Sequence, residues 1–148
     1  MSSATLAPMA RLTRRLPGTP EQIFDAWTDP RQFRVWMAPG GMVVSHATAD
    51  LKVGGAYELV MRGDSGEIPH HGVYREIDRP RRLVFTWLSP ATGPEPSVVT
   101  IELKPTFGGT DLTLTHEKLP ADQVEAHQRG WNSVGEKLEA WLGAGATA

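Results

Sequence analysis

The sequence contains no cysteine among its 148 residues. This absence excludes a disulfide framework and any mechanism that uses a thiol nucleophile. It is compatible with a cytoplasmic protein, because disulfides are rare in that compartment. No uncharged apolar run approaches the roughly 20 residues that span a bilayer, and the N-terminus lacks the apolar centre of a secretory signal. We therefore expect no membrane span.

The sequence also lacks an excess of one charge. Its 15 basic and 17 acidic residues give a formal net charge of −2. This balance provides no general attraction to nucleic acid or to an anionic membrane, so neither is expected as a partner. The length predicts a single domain over residues 1–148, with an ordered core of about residues 9–142.

Motifs that hold metals or cofactors are missing as well. The sequence has no HExxH motif, no paired cysteines and no spacing of carboxylates and histidines that is typical of a metal site. It has neither a Walker loop nor a dinucleotide-binding fingerprint. We therefore expect neither a metal nor a cofactor.

Local signals predict two short helices near the N-terminus, after a first strand over residues 9–16. Thr19 can cap a helix, Pro20 suits its first position, and Gln22 completes a capping box. The Asp29-Pro30 pair ends this helix and begins a second one. From residue 42 onward the apolar period changes to two, which predicts several strands joined by short turns. Such strands form an antiparallel meander.

The last segment, residues 121–142, has the only long helical pattern. Its apolar stripe consists of Val124, His127, Trp131, Val134, Leu138 and Trp141. A helix of this length runs roughly 33 Å, the width of a small domain. One long helix on one antiparallel sheet makes an α+β domain of two layers, and a pocket is expected between the layers.

Several segments resemble a known family when they are taken in order. They are Phe24–Pro30 with Trp36, Asp50–Tyr57, Gly72–Tyr74, Leu83–Trp87, Gly109-Thr110, His127 and Gly130-Trp131. Together they resemble the Hsp90 ATPase activator homologue (AHSA1-like) family of the START-like, or SRPBCC, superfamily. The resemblance implies a helix-grip fold (START/Bet v 1-like), with a curved antiparallel sheet, two short helices and one long C-terminal helix. The superfamily includes carriers, aromatase/cyclases, hydrolases and receptors, so the resemblance leaves the activity open.

Aromatic side chains are the candidates for a ligand-binding site between the layers. They are Trp36, Tyr57, Phe85, Trp87 and Trp131. As core residues they need no further role, whereas as a pocket lining they suit a flat apolar ligand. Gly135 lies one helical turn after Trp131 and permits either a close approach of the helix or space for a ligand. Of these two interpretations, close packing is the more common.

Two histidines are candidates for acid–base catalysis. His116 ends the last strand on its inner face, and His127 lies on the helix stripe one turn before Trp131. A histidine that only forms structural hydrogen bonds is the more common case for each. The pair His70-His71 follows a turn signal, and we expect both side chains to be solvated.

Three functions are compatible with these patterns. The leading hypothesis is a small protein that binds an apolar or aromatic small molecule between sheet and helix. The first alternative is an enzyme of aromatase/cyclase or hydrolase type that uses a pocket histidine. The second is a module that binds a chaperone of the Hsp90 type. A homodimer is also compatible with the sequence. The predicted ligand-binding set is Trp36, Tyr57, Phe85, Trp87, His116, His127, Trp131 and Gly135.

Overall fold

A computed structural model describes residues 9–145, and its seven strands form one antiparallel sheet. The strands are β1 (Met9–Leu16), β2 (Val43–Ala49), β3 (Ala56–Gly63), β4 (Gly66–Asp78), β5 (Arg82–Trp87), β6 (Ser97–Thr106) and β7 (Gly109–Glu117). Their order in the sheet is β1-β7-β6-β5-β4-β3-β2. The predicted meander is therefore confirmed for β2 to β7, and the first strand pairs with the last.

Within residues 9–145, three α-helices accompany the sheet: α1 (Pro20–Thr28), α2 (Pro30–Trp36) and α3 (Val124–Gly143), the last preceded by a 3₁₀ turn over Ala121–Gln123. The capping box that begins α1 is complete. Thr19 Oγ1 accepts a hydrogen bond from the Gln22 amide at 3.1 Å, and Gln22 Oε1 accepts one from the Thr19 amide at 2.8 Å. Asp29 ends α1 and caps α2. The helix-grip architecture expected from the sequence is confirmed.

The apolar core lies between the inner face of the sheet and the helices. Along β7 the buried residues alternate with less buried ones, as a period of two requires. No helix within residues 9–145 is both long and apolar enough to cross a bilayer.

Strand β4 begins at Gly66 and already includes the His70-His71 pair, which the sequence placed beside a turn. Gly63 pairs directly with Gly66, so the turn between β3 and β4 is tight and β4 starts at Gly66. His70 therefore lies within the strand on its inner face and is only 8% exposed. The expectation that His70 is solvated was wrong, although His71 on the opposite face is exposed.

Gly135 lies where α3 crosses β1. A Cβ atom at this position would lie 3.0 Å from Leu12 Cδ2 and 3.4 Å from Arg14 Cδ. The missing side chain thus allows α3 to approach β1 closely, which corresponds to the close-packing interpretation of this glycine.

Gly72 has a similar role between strands. The Tyr57 ring passes over Gly72, and its hydroxyl donates a hydrogen bond to the Thr86 carbonyl at 2.5 Å. A Cβ atom on Gly72 would lie 2.0 Å from that carbonyl oxygen and 2.8 Å from the Tyr57 ring. The path of β4 beside β5 therefore depends on a residue without a side chain.

Gly72→Ala should lower the free energy of unfolding by about 3 kcal/mol, because the new methyl group overlaps backbone atoms that cannot move independently. The control is Gly41→Ala, since a Cβ atom at Gly41 meets nothing within 4 Å. Its stability should change by less than about 0.5 kcal/mol. Urea denaturation of both variants measures the difference, and equal stabilities would contradict the described pairing of β4 with β5.

Candidate functional site

A cavity of about 130 Å³ lies between α3, the sheet and the segment that follows α2. Its lining residues are Met37, Pro39, Met61, His70, Trp87, Ala126, His127, Gly130, Trp131 and Val134. Apart from the two imidazoles and the two indole N–H groups, these side chains are apolar, and none is a lysine, arginine, aspartate or glutamate. The site is thus suited to a neutral molecule with little polar surface.

A chain of hydrogen bonds lies behind one wall of this cavity. Trp131 Nε1 donates to His116 Nδ1 at 3.0 Å. Since His116 accepts at Nδ1, its hydrogen is at Nε2, which lies 2.7 Å from Ser97 Oγ. The Ser97 hydroxyl in turn donates to the Trp87 carbonyl at 2.8 Å. The chain connects α3 to three neighbouring strands and fixes one tautomer of the histidine.

His116 itself is fully buried and does not line the cavity. Both of its ring nitrogens have protein partners. Burial, with a smaller contribution from nearby His127, lowers the pKa of His116 to about 3. In this arrangement the ring is neutral at ordinary pH and has no free nitrogen for a ligand, so its contacts are those of a residue that positions Trp131.

His127, by contrast, lines the cavity, and only one of its two ring nitrogens has a hydrogen-bond partner among residues 9–145. Its Nδ1 lies 2.9 Å from the Gln123 carbonyl. A carbonyl can only accept, so Nδ1 carries a hydrogen and Nε2 of the neutral ring carries a lone pair. Within residues 9–145, no hydrogen bond to His127 Nε2 is formed. The ring centroid lies 5.3 Å from that of His116.

His70 is the second imidazole of the cavity. Its Nδ1 lies 3.1 Å from the Ile68 carbonyl, and its ring centroid lies 4.8 Å from that of Trp87. Burial lowers the pKa of His70 to about 4, so this ring is also neutral near pH 7.

Gly130 forms part of the cavity side that is nearest to solvent, together with Pro39 and Ala126. A glycine inside a helix costs about 1 kcal/mol relative to alanine. At Gly135 close packing explains this cost, but a Cβ atom on Gly130 would meet only Pro39 Cβ, at 4.0 Å. The missing side chain at Gly130 therefore leaves open space beside the cavity without serving any contact.

A smaller void of about 20 Å³ lies deeper in the core. It is lined by Trp27, Phe33, Met37, Tyr57, Leu59, Tyr74, Phe85 and Trp87. Met37 and Trp87 line both spaces. The indole N–H groups of Trp27 and Trp87 are buried and have no hydrogen-bond partner in the described part of the chain.

The structure brings together part of the predicted ligand-binding set. Trp87, His127 and Trp131 line the 130 Å³ cavity. Tyr57 and Phe85 line the smaller void and not the cavity, and Tyr57 also borders a separate groove beside Gly72 and Thr86. The three other predicted residues line neither space: Trp36 packs edge-on against Trp27, His116 lies behind Trp131, and Gly135 contacts β1.

Sequence reasoning missed several residues of the cavity, namely Met37, Met61, His70 and Gly130. The inner-face position of His70 could have been found by counting in twos from Gly66 or from Tyr74. The signal at Gly130 is a glycine on a helix stripe one residue before a buried tryptophan. In residues 9–145, no group of three or more histidine, aspartate or glutamate side chains is arranged to hold a metal ion.

The buried histidines make stability depend on pH. His70 and His116 bind a proton in the unfolded chain near pH 6.5 but resist it when folded. Acid therefore favours unfolding, and each residue should remove roughly 2 kcal/mol of stability between pH 7 and pH 5. Urea denaturation at both pH values measures this loss.

The variant His70→Gln should show about half of the acid-induced loss, because one of the two groups no longer titrates. The exposed neighbour provides the control: His71→Gln should follow the unaltered protein. Equal stability of the unaltered protein at pH 7 and pH 5 would contradict the description of both rings as buried and neutral.

Comparison with known proteins identifies the family. Residues 17–143 match the family described as "Activator of Hsp90 ATPase homolog 1-like protein". Among curated proteins, no match to the chain is found. Solved structures with the same fold include a protein from Chromobacterium violaceum, which is 29% identical with a TM-score of 0.83 over 90% of this chain and 95% of that one.

Two further structures agree. The AHSA1 protein from Silicibacter pomeroyi is 26% identical with a TM-score of 0.79, covering 92% of this chain and 98% of its own. A protein from Nitrosomonas europaea is 25% identical with a TM-score of 0.80, covering 92% and 94% respectively. The helix-grip sheet, the two short helices and the long C-terminal helix are shared with these relatives, and the chain belongs to the Activator of Hsp90 ATPase homolog 1-like family.

Proposed function

We propose that this protein binds a small apolar or aromatic molecule in the 130 Å³ cavity between α3 and the sheet. The observation that carries the proposal is Gly130. This glycine weakens the helix, makes no close contact, and leaves space where the cavity comes nearest to solvent.

The size of the cavity supports this role. Protein interiors are packed as densely as organic crystals, and voids larger than a water molecule are few. An apolar cavity of about 150 Å³ is known to bind benzene. The cavity of this protein measures about 130 Å³, so it matches a ligand with a single ring. Its indole walls, with ring centroids of Trp87 and Trp131 5.2 Å apart, favour a flat molecule.

Toluene should therefore raise the melting temperature of the protein. At a concentration of ten times its dissociation constant, a ligand that binds only the folded state adds about 1.4 kcal/mol of stability. Gly130→Leu should abolish this effect, because the new side chain extends toward the space that toluene would occupy. Leucine is a better helix former than glycine, so the variant should remain folded.

Gly143→Leu is the matched control for that experiment. It makes the same replacement in the same helix, at an exposed residue where a Cβ atom meets nothing within 4 Å. This variant should respond to toluene as the unaltered protein does. If toluene stabilises neither protein, or stabilises Gly130→Leu equally well, the cavity is not a binding site for apolar molecules.

One observation favours an enzyme as a second candidate. The Gln123 carbonyl orients His127 so that Nε2 is available to take a proton from a bound molecule. In that case a molecule recovered from the protein would differ from the one supplied, and His127→Gln would slow the conversion at unchanged binding. Recovery of unchanged ligand from the native protein supports binding alone. The role in chaperone activation is supported by the family description and not by a feature of this cavity.

A further inference from the structure

The polar groups of the cavity restrict the chemistry of its ligand. His127 Nδ1 carries a hydrogen that is donated to the Gln123 carbonyl, so Nε2 of the neutral ring can only accept. A ligand that contacts this nitrogen gains a hydrogen bond only if it has a donor of its own. A pure hydrocarbon, an ether or a ketone would leave the acceptor without a partner, which weakens binding.

The strength of the hydrogen bond favours a hydroxyl over other donors. The buried indole N–H of Trp87 has no partner among residues 9–145, but a molecule the size of water does not reach it, so it is not offered to a ligand. A phenolic O–H is more acidic than the N–H of a pyrrole or an aniline and is therefore the stronger donor to the imidazole nitrogen of His127.

Charge is disfavoured at this site. Among the lining residues there is no basic or acidic side chain to pair with an ionised ligand. An unpaired charge in an apolar cavity is strongly disfavoured relative to water. A carboxylate or an ammonium group on the ligand would therefore weaken binding, while a phenolic hydroxyl, which ordinarily ionises only near pH 10, stays neutral.

From these observations, and on the basis of the proposed function, we infer that the ligand is a neutral molecule of the phenol class. It consists of a single aromatic ring with one hydroxyl group that donates a hydrogen bond to His127 Nε2. The ring occupies the apolar part of the cavity between Trp87, Trp131 and the two methionines. A cavity of about 130 Å³ accommodates such a ring with little room to spare.

The test measures the affinity of the full chain for phenol, anisole and toluene by titration calorimetry at pH 8, where imidazole is ordinarily neutral. Phenol and toluene differ in their affinity for water, so the comparison is made between variants rather than between ligands. His127→Leu removes the acceptor nitrogen and introduces an apolar side chain that is compatible with a helix. It should weaken phenol binding about three- to tenfold and leave toluene and anisole within twofold.

Two further variants complete the design. His127→Gln supplies an amide oxygen that can accept, so it should recover part of the phenol affinity. His71→Leu changes an exposed histidine on the outer face of β4 and should alter no affinity. Heteronuclear NMR spectra check that each variant is folded. If His127→Leu does not fold, His127→Gln is compared with the unaltered protein instead. A loss of affinity for phenol, with unchanged affinity for toluene and anisole, then supports the inference.

The outcomes separate the two proposals. Toluene binding that Gly130→Leu abolishes, combined with an equal effect of His127→Leu on all three ligands, would overturn the phenol class and leave the proposed function intact. Phenol binding that persists in Gly130→Leu would place phenol outside the cavity and overturn this inference. If none of the three ligands binds, both proposals fail.

Discussion

The hydrogen bond from Trp131 to His116 fixes α3 on the sheet, and the geometry of the candidate site depends on it. His116 transmits this connection through Ser97 to the backbone of Trp87, so that α3, β7, β6 and β5 are joined by one chain of donors and acceptors. Each group in the chain is buried and satisfied, and loss of one member would leave its neighbour without a partner at a cost of about 1–3 kcal/mol. The same chain holds Trp131 and Trp87 as two walls of the cavity.

Two glycines of α3 then determine where the space between the layers is filled and where it remains. At Gly135 the helix approaches β1 so closely that a methyl group would press on Leu12. Five residues earlier, at Gly130, the facing surface is Pro39, and nothing fills the gap. The helix is thus packed tightly on β1 at Gly135 and leaves a gap at Gly130, although Ser133 and Lys137 join it to the α2–β2 connection by hydrogen bonds. Since both glycines weaken the helix, its stability depends on packing rather than on intrinsic propensity.

The sequence predicted most of the fold because its decisive signals are local. The capping box of Thr19 and Gln22 involves residues three positions apart, and the alternation of β7 can be counted along a single strand. The cavity could not be predicted in this way. It depends on the distance between Gly130 and Pro39, which are remote in the chain and meet only when α3 docks. His70 was missed for another reason, since the tight Gly63 to Gly66 turn moved the start of β4 and placed His70 on the inner face.

The two histidines on which sequence reasoning concentrated differ in what surrounds them, and this difference decides what the site can do. His116 has a partner at each nitrogen and a pKa lowered to about 3 by burial, so its hydrogens remain in place as the pH changes in the neutral range. His127 lines the cavity and has a hydrogen-bond partner only at Nδ1, the carbonyl of Gln123 directly before α3. One imidazole therefore serves the framework, whereas the other keeps a ring nitrogen without a hydrogen-bond partner among residues 9–145. Met37 lines both the cavity and the deeper void. Because methionine changes rotamer more readily than branched or aromatic residues, this flexible wall is the part of the site that can adapt to substituents on the proposed ligand.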